Sequence, residues 1–303
     1  QRAPVADRAV LAREDGAGVA ELRLHRDAHR DVPVERARAG EDGAGGDEQR
    51  PLGRLLPGRS QVSTCDRFRA QEAVDDDAVL PAHDRSRAIA VGNHLARWLA
   101  TLPPNVLDSM AYRAALQKLA RREGWSFRFY GIDQLEKLGA GAFLAVARAN
   151  PHRGAGIVRL TYRPKRTRPT GASKGATGIA LVGKGICFDT GGINLKPHRG
   201  MYTMHGDMQG SAVAVGTLLA LTRLEASYPI DCWLAITENQ IGPNAFRPQE
   251  IVHALNGVTI QVVHSDAEGR MVLADTLTLA SREKPRLVLD FATLTGACVN
   301  ALT

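Results

Sequence analysis

Residues 1–88 contain no lysine, asparagine, isoleucine, tyrosine, methionine or tryptophan, and a single phenylalanine, Phe68. Without isoleucine and nearly without aromatic rings, this stretch has little from which to build an apolar core. Its fifteen arginines and the runs DGAGVA, RARAGEDGAGGDEQR and EAVDDDAV give it a low-complexity character. Within it, LAREDGAGVAELRLHRDA has the spacing of a helix. Two origins account for this composition, and the start at Gln1 fits either. One is a GC-rich genome and a sparsely packed N-terminal region. The other is an out-of-frame or mis-started reading of GC-rich DNA. Neither assigns a function to residues 1–88.

Over the whole chain no apolar run approaches the length of a membrane span, and the start has no secretory pattern. The four cysteines, at 65, 187, 232 and 298, form no CxxC pair. They read as reduced, mostly buried thiols of a cytoplasmic protein. A hydrophobic fraction of 44% in 303 residues suffices for a sizeable core and for two ordinary domains.

The formal charge of +7 is unevenly spread. Eight Lys/Arg and no Asp/Glu lie between Arg148 and Lys174, which more than accounts for the surplus. That segment includes RPKRTRPTGASKG, whose Pro, Gly and Ser mark a solvated loop between strands. The competing reading is a phosphate-backbone contact, weakened by the scarcity of aromatics beyond Tyr162.

From Ile89 the composition is ordinary. Residues 89–124 read as linker helices, the first stopped by Pro103-Pro104 and the second closed by Gly124. Residues 125–303 then alternate. Strands are expected at WSFRFYGI, GIVRLTYRP, GIALVG, PIDCWLAIT, VTIQVVH and RLVLDFA. Helices are expected at MQGSAVAVGTLLALTRLE, PQEIVHAL and RMVLADTLTLASRE, and a helix or helix–turn at DQLEKLGAGAFLAVARA. The pattern predicts an α/β fold: a three-layer α/β/α domain on a mainly parallel mixed sheet.

Gly178–Gly185, GIALVGKG, matches the first seven positions of a phosphate-cradling loop. The eighth position excludes it, because Gly185 stands where a hydroxyl must hold magnesium. The apolar run Ile179–Val182 reads instead as a buried strand. Lys184, Asp189 and Lys196 then fall beyond the carboxyl end of a parallel strand, where such folds bind ligands. Asp207 precedes a helix and by itself reads as an N-cap. In HSDAEGR, Asp266, Glu268 and Arg270 are spaced by two and share one side if the segment is extended. By itself Ser265–Glu268 also matches a capping box. Together, Asp189, Asp207, Asp266 and Glu268 lie on one predicted rim. Four such carboxylates repel unless cations compensate them, and two divalent ions would neutralise the charge. An all-oxygen acid set suits a hard ion, although zinc also accepts carboxylates.

The motifs VGKGICFDTGGINLKP, MHGDMQGSA, SDAEGRMVLADTL and DFATLTGA resemble, in order and separation, the leucine aminopeptidase family of dinuclear-metal cytosol aminopeptidases. The resemblance is dense from Val182 to Ala297 and looser back to Ile89. It implies a metal-dependent enzyme that releases N-terminal, leucine-like residues from peptides by way of a water activated between two divalent ions, Mn2+ or Zn2+. It implies that Lys184, Asp189, Asp207 and Glu268 hold one ion, and that Asp189, Asp266 and Glu268 hold the other. It implies that Lys196 stabilises the oxyanion and that Arg270 holds a bicarbonate. Thr293, Leu294 and Gly296 line the site and orient substrate or bicarbonate. A homo-hexamer is the implied assembly. His205, Gly206, Gln209, Gln249-Glu250 and His264-Ser265 depart from the family pattern without removing a ligand. His198, His205 and His264 read as outer or surface groups. The chain stops at Thr303, where family members continue. The domain is therefore expected to be incomplete at its C-terminus, and this chain by itself to be a poor or inactive peptidase. The alternatives are a nucleic-acid-binding accessory protein and an inactive fragment of the family.

Overall fold

The computed structural model describes residues 8–11, 20–23, 76–150, 154–164, 178–297 and 301. The chain divides into two compact units, residues 1–10 with 21–80 and residues 11–20 with 81–303. Strands β1 (Arg8–Leu11) and β2 (Ala20–Arg23) form a two-stranded sheet of their own. β2 falls inside the run expected to be helical; the rest of that run, Leu11 apart, lies outside the described residues.

Helix α1 (Asp76–Thr101) begins well before Ile89 and ends just ahead of Pro103. Helix α2 (Ser109–Glu123) opens on Asp108, whose Oδ1 accepts from Ala111 N at 2.7 Å. Then come β3 (Ser126–Gly131), α3 (Ile132–Leu138) and α4 (Gly141–Ala147). Of the helix and helix–turn readings of this stretch the second holds, the two helices being separated at Gly139-Ala140. β4 (Gly156–Tyr162), β5 (Ile179–Asp189), the one-turn α5 (His198–Met201), α6 (Gln209–Arg223) and β6 (Ile230–Asn239) follow. The chain continues through β7 (Ile251–His253), β8 (Thr259–Gln261), α7 (Glu268–Arg282) and β9 (Leu287–Phe291).

The main sheet is mixed, in the order β3-β4-β6-β5-β9. β3/β4 and β4/β6 are antiparallel, whereas β6/β5 and β5/β9 are parallel. Parallel pairing is thus confined to the half that carries the site. β5 is central there and buried along nearly its whole length, as its unbroken apolar start requires. Alternation along β5 feeds two cores. Ala180, Val182 and Ile186 pack with α4 and α7 on one face; Leu181 and Cys187 pack with α1, α2 and α6 on the other. This makes three layers. Cys187 and Cys232 are buried free thiols, while Cys65 and Cys298 lie outside the described residues.

One element differs in kind. PQEIVHAL was expected to be helical, but Ile251–His253 is a strand paired antiparallel with Thr259–Gln261. Gln249 N also donates to Val262 O at 2.7 Å, and Val262 N to Glu250 O at 2.8 Å. A partner strand whose paired residues lie 6–10 positions ahead thus overrides a local preference that is only a weak prior.

α6 lies close on the sheet because its first turn is small. A Cβ at Gly210 would stand 2.2 Å from the Phe291 carbonyl oxygen on β9. Gly210→Ala therefore forces the helix away from β9, and such overpacking costs about 1–3 kcal/mol. The melting temperature is expected to fall by roughly 2–12 °C. Calorimetry placing the variant within about 1 °C of the parent would show that the contact relaxes freely.

Candidate metal centre

The parallel strands deliver their carboxyl ends to one rim. β5 ends in Asp189, β6 in Asn239, and the chain leaving β9 brings Thr293. Asp207 is not an N-cap. It closes a single 3₁₀ turn (Met204–Gly206), and its carboxylate faces the strand ends. Residues 265–267 form another 3₁₀ turn that runs into α7, so Asp266, Glu268 and Arg270 are not extended. Glu268 and Arg270 sit two apart on α7, a spacing at which side chains do not face each other. Nor does Ser265 act in a capping box. Its Oγ donates to Gly191 O at 2.7 Å and accepts from Asn194 N at 2.8 Å, while His264 caps the turn instead.

Lys184 enters the cluster from the middle of β5 and is only 2% exposed. Its Nζ lies 2.8 Å from both Asp207 Oδ1 and Glu268 Oε1 and 3.1 Å from Thr293 O. The lysine fits because α7 starts with a bare position. A Cβ at Gly269 would stand 2.7 Å from Lys184 Cε. Lys196 closes the other side, its Nζ 3.0 Å from Asp189 Oδ2 and 2.5 Å from Asp266 Oδ1. Thr293 Oγ1 donates to Asp207 Oδ1 at 2.6 Å. Lys184, Asp189, Lys196, Asp207, Asp266, Glu268 and Thr293 thus converge. Arg270, Leu294 and Gly296 are exposed and take part in none of these contacts; a Cβ built at Gly269 would stand 3.0 Å from Leu294 Cδ1.

The donor set fits divalent cations. Asp189, Asp266 and Glu268 each offer one oxygen, all within 4.8 Å of one another. Asp207 Oδ2 and Glu268 Oε2 are buried without a hydrogen bond; the first lies 2.8 Å from Lys184 Nζ but outside hydrogen-bond geometry. Buried carboxylate oxygens left in this state are costly unless a cation meets them. Burial raises the Asp207 carboxyl to about 6 against the pull of Lys184, and burial raises Glu268 to about 7. Burial depresses the Lys184 ammonium, but the carboxylates of Asp207 and Glu268 outweigh it and hold its pKa above the usual value. Lys196 is raised in the same way, burial being outweighed by Asp266 and Asp189.

The two raised carboxyls have a consequence for the metal-stripped chain. Each binds its proton more tightly when folded than when unfolded. The stability this supplies is complete below the ordinary carboxylate range, near pH 4, and is lost as pH rises through about 6 and about 7. In excess chelator the melting temperature is expected to fall between pH 5 and pH 8, and Asp207→Asn to reduce that fall. A flat profile in the parent would contradict the burial argument.

Sequence reasoning missed Asn239, which reaches both Asp189 and Ser265 O, and Asn194, whose Oδ1 accepts from Ser265 N at 2.8 Å. The available signal was position: Asn239 ends β6 as Asp189 ends β5. It missed Asp275 too. That buried carboxylate accepts from Phe143 N at 2.8 Å and Leu255 N at 2.7 Å, fastening α7 to α4 and to the loop after β7.

Comparison with known proteins bears on the same residues. A model of the cytosol aminopeptidase family, catalytic domain, matches residues 94–303. A probable cytosol aminopeptidase of Stutzerimonas stutzeri (strain A1501) is 45% identical over 216 residues, covering 71% of this chain and 42% of the relative. One from Sulfurihydrogenibium sp. (strain YO3AOP1) is 40% identical over 216 residues, covering 71% and 41%. One from Pseudomonas syringae pv. tomato (strain ATCC BAA-871 / DC3000) is 39% identical over 258 residues, covering 84% and 48%. The chain spans less than half the length of these relatives. The matched range includes every carboxylate and lysine of the cluster, from Lys184 on β5 to Glu268 at the start of α7. By that match the chain belongs to the cytosol aminopeptidase family.

Proposed function

We propose that the chain carries the catalytic centre of a metal-dependent aminopeptidase that removes N-terminal residues, leucine-like ones preferred, from peptides. The observation that carries this reading is the buried lysine: Lys184 lies 2.8 Å from the carboxylates of both Asp207 and Glu268 at the carboxyl end of the parallel strands. Lys184, Asp189, Asp207 and Glu268 would hold one divalent ion, and Asp189, Asp266 and Glu268 a second. Bound there, Mn2+ or Zn2+ would supply Lewis acidity, of the kind that lowers the pKa of water from 15.7 toward about 7.

The protein's own groups do the rest. To ligate, Lys184 would have to be the neutral amine and give up its ammonium proton. Lys196, already between Asp189 and Asp266, donates to the oxyanion that develops on the first peptide carbonyl. Selectivity for chain ends follows from the substrate's free amino group, a ligand that an internal peptide bond lacks. Arg270 holds a bicarbonate that moves the proton, and the backbone at Thr293, Leu294 and Gly296 orients the bound groups. A homo-hexamer and a cytoplasmic location belong to the same reading; among the described residues no helix is long and apolar enough to cross a membrane.

The nucleic-acid reading loses ground at three of its basic residues. Arg148 pairs with Glu250 at 2.6 Å, Arg159 with Asp231 at 3.0 Å, and Arg163 lies 3.8 Å from Asp231. Residues 165–177 lie outside the described residues.

The test uses the longest natural reading frame that contains this chain, because the chain spans less than half of its relatives. Loaded with manganese, the protein is expected to cleave a leucine anilide and to leave the N-acetylated anilide intact. Chelator is expected to abolish turnover. Equal cleavage of both anilides, or turnover indifferent to chelator, would refute the reading. DNA retention at low salt that falls steeply as salt rises would favour the accessory protein.

A further inference from the structure

Asn239 closes β6 and is fully buried. It stands opposite Asp189 in the parallel register, after a shift between Ile186 and Asp189. Both hydrogens of its amide are used: Nδ2 donates to Asp189 Oδ1 at 2.8 Å and to Ser265 O at 3.1 Å. Each partner is an acceptor only, so the amide has one orientation that satisfies the network. The backbone takes part as well. Asn239 O accepts from Thr190 N at 3.0 Å and from Thr190 Oγ1 at 2.7 Å.

The effect on Asp189 is specific. Its Oδ1 takes two donors, Asn239 Nδ2 and Gly191 N, each at 2.8 Å. This fixes the rotation of the carboxylate and leaves Oδ2 facing Lys196 Nζ at 3.0 Å, on the side of the other acids. The second donation fixes the residue before Asp266. One side chain therefore sets the distance between two segments that supply acids from opposite ends of the motif. Asn239 Oδ1, meanwhile, is buried and accepts no hydrogen bond. A residue kept only to fill space would carry no such orphan, since an apolar side chain avoids it.

The geometry points to Asn239 as a positioning residue of the metal centre, one that aims Asp189 and holds its spacing to Asp266. This rests on the metal-centre reading above. It requires that losing the amide weakens metal binding more than it weakens the fold. Outer partners of this kind typically govern about 10–100-fold in metal affinity.

The experiment compares the parent with Asn239→Ala, Asn239→Leu and Asp189→Asn, all in the natural reading frame. Manganese affinity is read by competition with a chelator, and metal-free stability by melting in excess chelator. For both Asn239 variants the expected result is metal affinity about 10–100-fold lower with a metal-free melting temperature near the parent's. Asp189→Asn is expected to lose more. Asn239 variants that bind manganese within about threefold of the parent, beside an Asp189→Asn that fails to bind, would overturn the positioning role alone. Asp189→Asn that binds as the parent does would overturn the metal-centre reading and this inference with it. If neither Asn239 variant folds, the residue serves the fold rather than the ligand, and the inference fails.

Discussion

Glu268→Gln is expected to strip the site and to reduce peptide hydrolysis to background. Glu268 is 2% exposed, pairs with Lys184 through Oε1, and lies within reach of Asp189 and Asp266. The amide keeps the shape and removes the charge. Its nitrogen is no ligand, and its hydrogens face the cation they should yield to. The acid is shared between two ions in the proposed centre, so one substitution damages both. The loss should exceed the roughly 10–100-fold typical of outer partners, and metal content and turnover should fall together. Elemental analysis after dialysis decides the matter: full occupancy in Glu268→Gln, with or without activity, would remove this residue from the ligand set.

Lys196→Met is expected to part metal from activity. Lys196 contributes a positive charge between Asp189 and Asp266, so removing it strengthens their attraction for cations. Metal content should hold or rise. Turnover should fall about 100- to 1,000-fold in both kcat and kcat/KM, the usual loss for one donor that acts on transition-state charge. A variant with parental kcat would make Lys196 a brace for the two acids and nothing more. The two substitutions thus separate holding the ions from using them.

The acids of the site were legible because they sit at punctuation marks. Asp189 follows a long apolar strand, Asp207 precedes a helix, and Asp266 and Glu268 straddle a helix start. The layer arrangement was legible for a related reason: strand and helix periods alternate clearly from Ser126 onward. What failed depended on pairings that no residue shows by itself. Ile251–His253 is a strand because Thr259–Gln261 pairs with it. Asp207, locally a good cap, turns instead to Lys184 and Thr293. Ser265 and Glu268 match a capping box, but Ser265 is taken by Gly191 and Asn194, 74 and 71 residues away. Asn239 carried only the mark of its position at the end of β6, where an asparagine usually starts a turn. In each case a local rule gave way to a contact that forms only when separated parts of the chain meet.

The strand order also imposes a timetable on synthesis. β5, the strand that carries Lys184 and Asp189, leaves the ribosome before either of its neighbours. β6 follows, but β9 begins at Leu287, roughly 50 residues beyond Asn239, or about 3–10 s of elongation at 5–20 residues per second. For that interval one flank of β5 is bare and open to any other nascent strand. Lys184, Asp189 and Asp207 are also outside before Asp266 and Glu268 exist. In the proposed centre ion capture therefore waits until α7 has begun to emerge, and until then Lys184 and Lys196 are the cations on hand for Asp207 and Asp189.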